Sequence, residues 1–221
     1  RPLSGLRIAL QPGISVRGWP TEAGSNALTG YIALEDATVV RRLHDAGAAL
    51  QGFTRASEFG LGLQGSRAGA AVRENAADLE LVLDHMGESR LAAARAGLCG
   101  FKPSYGLISR YGLIGLIPSM ENCGVLSRSL KNIREMVKII AGPDERDFSL
   151  PDEKLPDFSP QKVNPKKTTV GVITETKSGL QGDQESALHA AIDELKEAGA
   201  WVIGLEGGDE AQPSGSVRLD G

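Results

Sequence analysis

The feature that most constrains the fold is a helix that passes almost directly into a strand. Apolar residues recur at helical spacing between Asp36 and Ala46, and Gly47 stands where such a helix should end. The segment from Ala49 to Phe53 then predicts a strand. A helix and a strand joined over so few residues are typical of layered α/β proteins, in which both pack into one core. We therefore predict an α/β fold, with Asp36 as the N-cap of this helix.

A second α/β pattern lies toward the end of the chain. Thr168 to Ile173 and Trp201 to Leu205 predict strands, and Asp183 to Ala198 predicts the helix between them. The segment before this pattern is rich in Pro, Asp, Lys and Ser, as exposed connections are. We divide the chain into a core (1–143), a linker or surface crossing (144–167), a β-α-β unit that joins the same sheet (168–206) and a flexible tail (207–221).

The middle of the chain contains two helices and one ambiguous segment. Ser129 caps a helix that ends at Gly142-Pro143, and its predicted buried stripe includes Leu130. Ser89 to Ala96 predicts a short alanine-rich helix. The segment from Leu79 to Asp84 fits either a strand or the end of a helix, because apolar runs of this length do not distinguish the two.

Composition and charge exclude several classes of function. The 221 residues are 41% apolar and 24% charged, which is ordinary for a globular protein. A net charge of −4 argues against binding nucleic acid through overall attraction to phosphates, so any contact with nucleic acid is expected to be indirect. No apolar run reaches the roughly 18–20 residues that span a bilayer, and no glycine-rich stretch has the spacing of a phosphate-binding loop.

Cysteine and histidine residues give no indication of a metal centre. Cys99 and Cys123 lack paired spacing and the three histidines are scattered, so we expect no metal and no other cofactor. The two cysteines predict reduced, buried thiols in an intracellular protein, with cytoplasm and mitochondrial matrix both open. His85 follows an apolar run and is expected to be half-buried.

The most specific motif runs from Cys99 to Ile114 and reads CGFKPSYGLISRYGLI. It resembles, almost residue for residue, the CGLKPTYGRVSRYGLI segment of the amidase signature family, and especially of the A subunits of glutamyl-tRNA(Gln) amidotransferases. Residues 36–48, 118–124 and the β-α-β pattern resemble other family segments in the same order. The resemblance covers nearly the whole chain but only about the first half of a family member. It implies a mixed β-sheet covered by helices on both faces, in shortened form.

The resemblance also implies where the family's catalytic residues should lie. The family uses a Ser–cis-Ser–Lys triad, in which lysine acts as the base for the nucleophilic serine. The matching strand end here places Gln11 where the lysine belongs, and a carboxamide does not accept that proton. Gln11 is therefore a vestigial candidate, or simply a polar residue at the end of a strand.

The two serine positions are altered as well. Ser66 is a candidate for the bridging serine and Ser89 for the nucleophile, but counting back from Cys99 without a gap puts Leu91 at the nucleophile's position. The Gly-Gly pair that precedes the nucleophile in the family is absent in either alignment. Loss of a single oxyanion-hole donor costs on the order of 10²–10³ in rate. The alternatives are an ordinary loop serine at position 66 and an N-cap serine at position 89.

Three functions follow from the resemblance. The first is a non-catalytic amidase-fold protein that serves as a structural or interaction subunit of a larger assembly, with protein partners. The second is an active amidase or amidotransferase subunit in which Ser89 is the nucleophile and Lys102 or His85 the base. The third is a module that binds a small molecule or RNA in the old cleft. The preserved loop residues Lys102, Tyr105, Arg110 and Tyr111 are expected either to pack against the core or to contact a partner.

Overall fold

The protein forms two units, Arg1–Phe158 and Ser159–Gly221, in a computed structural model. The structure describes residues 1–63, 67–151, 154–173, 180, 182–205 and 217–218. The strands of the first unit are β1 (Arg7–Leu10), β2 (Ala49–Phe53), β3 (Leu79–Asp84), β4 (Cys99–Phe101) and β5 (Asn122–Ser127). Its α-helices are α1 (Thr38–Asp45), α2 (Ala70–Arg73), α3 (Glu88–Ala96) and α4 (Leu130–Ile140).

The first unit is built on a mixed five-stranded sheet in the order β2-β1-β3-β5-β4. β1 runs parallel to β2 and β3, whereas β5 runs antiparallel to β3 and β4. All six residues of β3 and all six of β5 are buried, because each strand has a neighbour on both sides and helices above and below. This double burial resolves the ambiguous segment 79–84 as a strand.

Helices cover both faces of this sheet, as the resemblance implied. Leu81 and Leu83 of β3 belong to the larger core together with residues of α1 and α4. Val82, which points to the opposite face, packs with Ala92 and Ala93 of α3. The small alanine side chains let α3 lie close to the sheet. A short turn connects the end of β3 to the start of this helix.

The predicted linker is divided between the two units, because residues up to Phe158 belong to the first. Asp144 accepts hydrogen bonds from the hydroxyl groups of Thr38 and Ser109, and from the backbone N–H groups of Arg146 and Asp147. Residues 144–147 are therefore fastened to the core and are not a free crossing.

The second unit contains β6 (Thr169–Ile173), α5 (Asp183–Glu197), β7 (Trp201–Leu205) and β8 (Val217–Arg218). The predicted β-α-β order is present, with β6 and β7 parallel. Among the described residues, β6, β7 and β8 form a sheet of three strands, and the expectation that this unit joins the first sheet stays a prediction. β8 also lies within the segment expected to be a flexible tail, and its two residues pair with β7.

Two finer expectations about the helices are wrong. The N-cap of α1 is Ala37, since the Asp36 carboxylate instead accepts a hydrogen bond from the backbone N–H of Arg17. Leu130 is 68% exposed, because it is the first residue of α4 and precedes the turn that contacts the core. Among the described residues, no helix is both long and apolar enough to cross a membrane.

Candidate functional site

The candidate site is the turn between β3 and α3, residues 84–89, which we call the β3–α3 turn. It carries Ser89, and its backbone N–H groups are bound by two carboxylates of the turn itself. Glu88 accepts from the N–H groups of His85 (2.9 Å) and Met86 (2.8 Å). Asp84 accepts from those of Gly87 (2.7 Å) and Ser89 (2.9 Å). These four amides, which could otherwise bind an anion, are thus already bound to protein carboxylates.

Ser89 is fully buried and faces the sheet. Its hydroxyl donates a hydrogen bond to the Asp84 carboxylate. A side-chain carbon placed on Gly124 of β5 would come within 2.5 Å of the Ser89 Cβ, so Ser89 packs directly onto that glycine. The helix begins at Glu88 with Gly87 as its N-cap, so the expected N-cap role of Ser89 is wrong. A nucleophile must reach its substrate, and this hydroxyl lies beneath the turn.

Lys102 is bound to Asp84 and not to Ser89. Its Nζ donates to Asp84 Oδ1 (3.1 Å), to the Asp84 carbonyl (3.0 Å) and to the His85 carbonyl (3.4 Å). Burial acts to raise the pKa of Asp84, but hydrogen bonds from Ser89 and Lys102 outweigh it and hold that pKa below its ordinary value. The Asp84 carboxylate therefore favours its ionised form, in which it accepts the hydrogen bond from the Ser89 hydroxyl.

His85 is 3% exposed, so it is buried and not half-buried as expected. Burial lowers the pKa of its imidazole, although the negative charges of Glu88 and Asp84 act to raise that pKa. Burial also raises the pKa of the Glu121 carboxyl group. The two ring nitrogens of His85 make no hydrogen bond within the described part of the protein. No hydrogen bond between His85 and Ser89 is present in the described part of the protein.

Gln11 lies just beyond the end of β1 and is 2% exposed. Its Oε1 accepts a hydrogen bond of 2.9 Å from the backbone N–H of Leu83, one residue before the β3–α3 turn. The structure thus places Gln11 and Ser89 at the same end of the sheet, with the Gln11 side chain joined to β3. Ser66 lies outside the described residues.

The four preserved loop residues all make contacts within the protein. Besides the Lys102 contacts with Asp84, Tyr105 donates to the Pro118 carbonyl and lies 5.2 Å from the Arg110 guanidinium. Arg110 pairs with Asp147 at 3.1 Å, and the Tyr111 hydroxyl donates to Glu35. These contacts favour the packing interpretation of the loop.

Histidine, cysteine and acidic side chains are the groups that could hold a metal ion. Within the described ranges, no group of three or more His, Cys, Asp or Glu side chains is arranged to hold a metal ion. Both cysteines are free thiols, and burial raises the pKa of Cys123 well above its usual range. Cys99 is only partly buried, which corrects the expectation of two buried thiols, because β4 lies at the edge of the sheet.

Sequence reasoning missed the two carboxylates that organise the site. Asp84 stands out in the sequence only as the end of an apolar run, and Glu88 does not stand out at all. The available signal was one acidic residue before Gly87 and one after it, between an apolar run and a predicted helix. The partner of Asp84, Lys102, lies 18 residues away in sequence, so no local pattern connects them.

Comparison with known proteins agrees with this architecture. The family model for amidases matches residues 1–83 and 84–209. The chain is 36% identical over 224 residues to the A subunit of the glutamyl-tRNA(Gln) amidotransferase of Natronomonas pharaonis, covering 90% of this chain and 53% of that protein. It is 34% identical over 237 residues to the corresponding protein of Halobacterium salinarum, covering 96% of this chain and 55% of that protein.

Solved structures give the same result. The A subunit of the glutamyl-tRNA(Gln) amidotransferase of Thermotoga maritima superposes with a TM-score of 0.84 at 25% identity, over 92% of this chain and 50% of that one. The peptide amidase of Stenotrophomonas maltophilia superposes with a TM-score of 0.78 at 26% identity, over 93% of this chain and 48% of that one. The chain thus spans about half the length of the curated relatives it matches. On sequence and fold together, it belongs to the amidase family.

Proposed function

We propose that this chain is a catalytically inactive member of the amidase family that serves as an interaction subunit of a larger intracellular assembly. The observation that carries the proposal is the β3–α3 turn, in which Asp84 and Glu88 bind the backbone amides and Ser89 is buried against β5. Hydrolysis of an amide requires an accessible nucleophile, a base and donors for the oxyanion. The buried position of Ser89 and the bound amides of the turn support the proposal that these requirements are not met.

The position of Gln11 supports the same proposal. The resemblance puts the family's lysine there, and the Gln11 carboxamide instead accepts a hydrogen bond from Leu83 in a buried setting. The residue present is thus suited to joining β1 and β3 and not to proton transfer.

Relatives named as subunits support a role within an assembly. The proteins from Natronomonas pharaonis and Halobacterium salinarum are each named as the A subunit of an amidotransferase. We extend to this chain only the general property, namely association with protein partners. Native mass measurement of purified protein, and co-purification from its source, should reveal a stable partner; a well-behaved monomer that recovers none would contradict the interaction role.

An assay of amide hydrolysis tests the catalytic half of the proposal. Purified protein incubated with glutamine and simple amides should release no ammonia above the buffer blank, while the peptide amidase of Stenotrophomonas maltophilia serves as the positive control. The competing candidate is an active subunit with a rearranged serine site, which the identity of 36% to an amidotransferase subunit favours. Turnover that disappears in a folded Ser89→Ala variant would establish that candidate.

A further inference from the structure

We propose that an open cavity between α2 and α3 binds a phosphate group, either as inorganic phosphate or as a phosphate monoester. The cavity has a volume of about 280 Å³ and lies on the first unit. Three arginines line it: Arg67 before α2, Arg73 at the end of α2 and Arg95 in the last turn of α3. This site does not involve the β3–α3 turn, and the inference is independent of the proposed function.

The charge of the cavity favours a doubly charged anion. Glu74 is the only acidic residue in the described lining, so three guanidinium groups and one carboxylate give the walls a net charge of +2. The whole chain carries −4, and the cavity is therefore a local reversal of sign. A phosphate monoester carries about −1.5 to −2 near neutral pH, which matches the walls more closely than a singly charged carboxylate does.

Two of the three lining arginines, Arg95 and Arg73, make side-chain contacts that limit where their guanidinium groups lie. Arg95 donates to the Leu63 carbonyl at 2.6 Å, which anchors its side chain along one wall. Arg73 reaches Glu74 at 3.5 Å, and both side chains are more than half exposed, so this ion pair is weak. Arg128, which does not line the cavity, donates to the Arg73 carbonyl at 2.7 Å. An anion among these groups would offset their mutual repulsion.

The remaining walls set the size of the ligand. The other described lining residues are four alanines, Ala68, Ala70, Ala92 and Ala96, whose small side chains leave space between the helices. A volume of about 280 Å³ is at the lower end of the range for small-molecule sites, which fits a phosphate group with a short substituent. Arginine is the residue that binds phosphate oxygens in a bidentate geometry, and three are within reach of this volume.

Thermal unfolding of the full chain tests this inference. Inorganic phosphate and O-phosphoserine are titrated separately at constant ionic strength, with chloride and acetate as comparison anions. We expect a saturable rise in melting temperature with at least one of the two phosphates and none with chloride or acetate. A response to phosphoserine alone would identify the monoester, and a response to both would identify the phosphate group itself.

Two variants and one matched control locate the effect. Arg67→Gln and Arg73→Gln should each weaken phosphate binding about tenfold, because each removes charge-assisted hydrogen bonds. Arg134→Gln is the control, since Arg134 also pairs with the adjacent residue, Glu135 at 3.0 Å, but lies on α4. The Arg134→Gln variant should bind phosphate with the same affinity as the wild-type protein.

Three results would overturn the inference. The first is the absence of any saturable shift with either phosphate. The second is an equal loss of binding in the Arg67→Gln and Arg134→Gln variants, which would indicate nonspecific attraction. The third is tight binding of a single-stranded RNA oligonucleotide without any response to the two phosphates, which would identify a nucleic-acid surface instead.

Discussion

Asp84 is the residue on which the β3–α3 turn depends. Its carboxylate binds two backbone amides, the Ser89 hydroxyl and the Lys102 ammonium, and its side chain is fully buried. The two oxygens of one carboxylate thus accept the hydrogen bonds that these four donors would otherwise make to water. Removal of one partner of a buried ion pair leaves the other charge uncompensated.

We therefore expect Asp84→Asn to lower the free energy of unfolding by about 3 kcal/mol, as measured by urea denaturation. The amide retains the shape of the side chain but loses the charge that Lys102 requires. The control is Glu135→Gln, which removes the acidic partner of an ion pair with side chains about one third exposed and should cost about 0.5 kcal/mol or less. Equal stability of the two variants would show that Lys102 does not depend on Asp84.

Asp144 predicts a dependence of stability on pH. Burial acts to raise the pKa of Asp144, but hydrogen bonds from Ser109, Thr38 and two backbone amides outweigh it and hold that pKa well below its ordinary value. A carboxyl group whose pKa is lower in the folded state stabilises the fold above its unfolded pKa, about 3.9, and this contribution is lost as the pH falls below it.

Urea denaturation between pH 7 and pH 2.5 measures that contribution. As the pH falls below about 4, the free energy of unfolding should fall more for the wild-type protein than for Asp144→Asn. The difference in free energy of unfolding between the two proteins therefore becomes smaller in acid. Other carboxylates titrate in both proteins, and only the difference reports on Asp144. Parallel curves would mean that its hydrogen bonds do not favour the ionised form.

At the scale of elements, the contact between α3 and β5 is set by a glycine. A Cβ on Gly124 would lie 2.5 Å from the Ser89 Cβ and 3.1 Å from Val82 Cγ2, whereas ordinary contacts are longer than 3.4 Å. We expect Gly124→Ala to cost about 1–3 kcal/mol of stability through overpacking.

A double-mutant cycle tests this contact. Ser89→Gly alone should be destabilising, because it removes a buried hydrogen bond and places glycine in a helix, but it also creates the space that Gly124→Ala needs. The double variant should therefore be more stable than the sum of the two single effects predicts, by about 0.5 kcal/mol or more. Additive effects would show that the helix moves away from the sheet instead.

Elements with clear periodicity were predictable from the sequence. The strand from Ala49 to Phe53 has the predicted bounds, and α1 and α4 differ from their predictions by few residues. The segment from Leu79 to Asp84 was not predictable, because a strand that is buried on both faces does not alternate between polar and apolar residues. Its polar residue Glu80 accepts hydrogen bonds from Thr54 and Gly69, which lie in other parts of the fold. This segment forms a strand because of the strands and helices that surround it in the fold.

The candidate site was predictable only in outline. The altered positions at Gln11 and Ser89 could be located from the resemblance, and the structure places both at one end of the sheet. The hydrogen bonds that these two residues make could not be predicted. Gln11 meets Leu83 because β1 pairs with β3, and Ser89 meets Asp84 because the chain turns between them. Hydrogen-bond partners of this kind depend on three-dimensional position and not on sequence spacing.

At the scale of the whole molecule, the two units differ in how much they bury. Every residue of β3 and β5 is buried, whereas β6 alternates between exposed and partly buried residues and α5 buries only Ile192. Apolar burial is the main source of stability, so the three-stranded unit has less to hold it folded. Regions with few buried contacts open at lower free energy than the core of a protein does.

Native-state hydrogen exchange should resolve this difference. After correction for intrinsic rates, the amides of β3 and β5 should exchange most slowly, and those of β6 and β7 roughly tenfold faster or more. The comparison is restricted to the amides that donate between β3 and β5 and between β6 and β7, because β6 lies at the edge of its sheet whereas β3 and β5 each have a strand on both sides. Equal protection in both sheets would mean that the second unit opens only when the first unfolds, so that stability in this chain would not follow the burial of each unit.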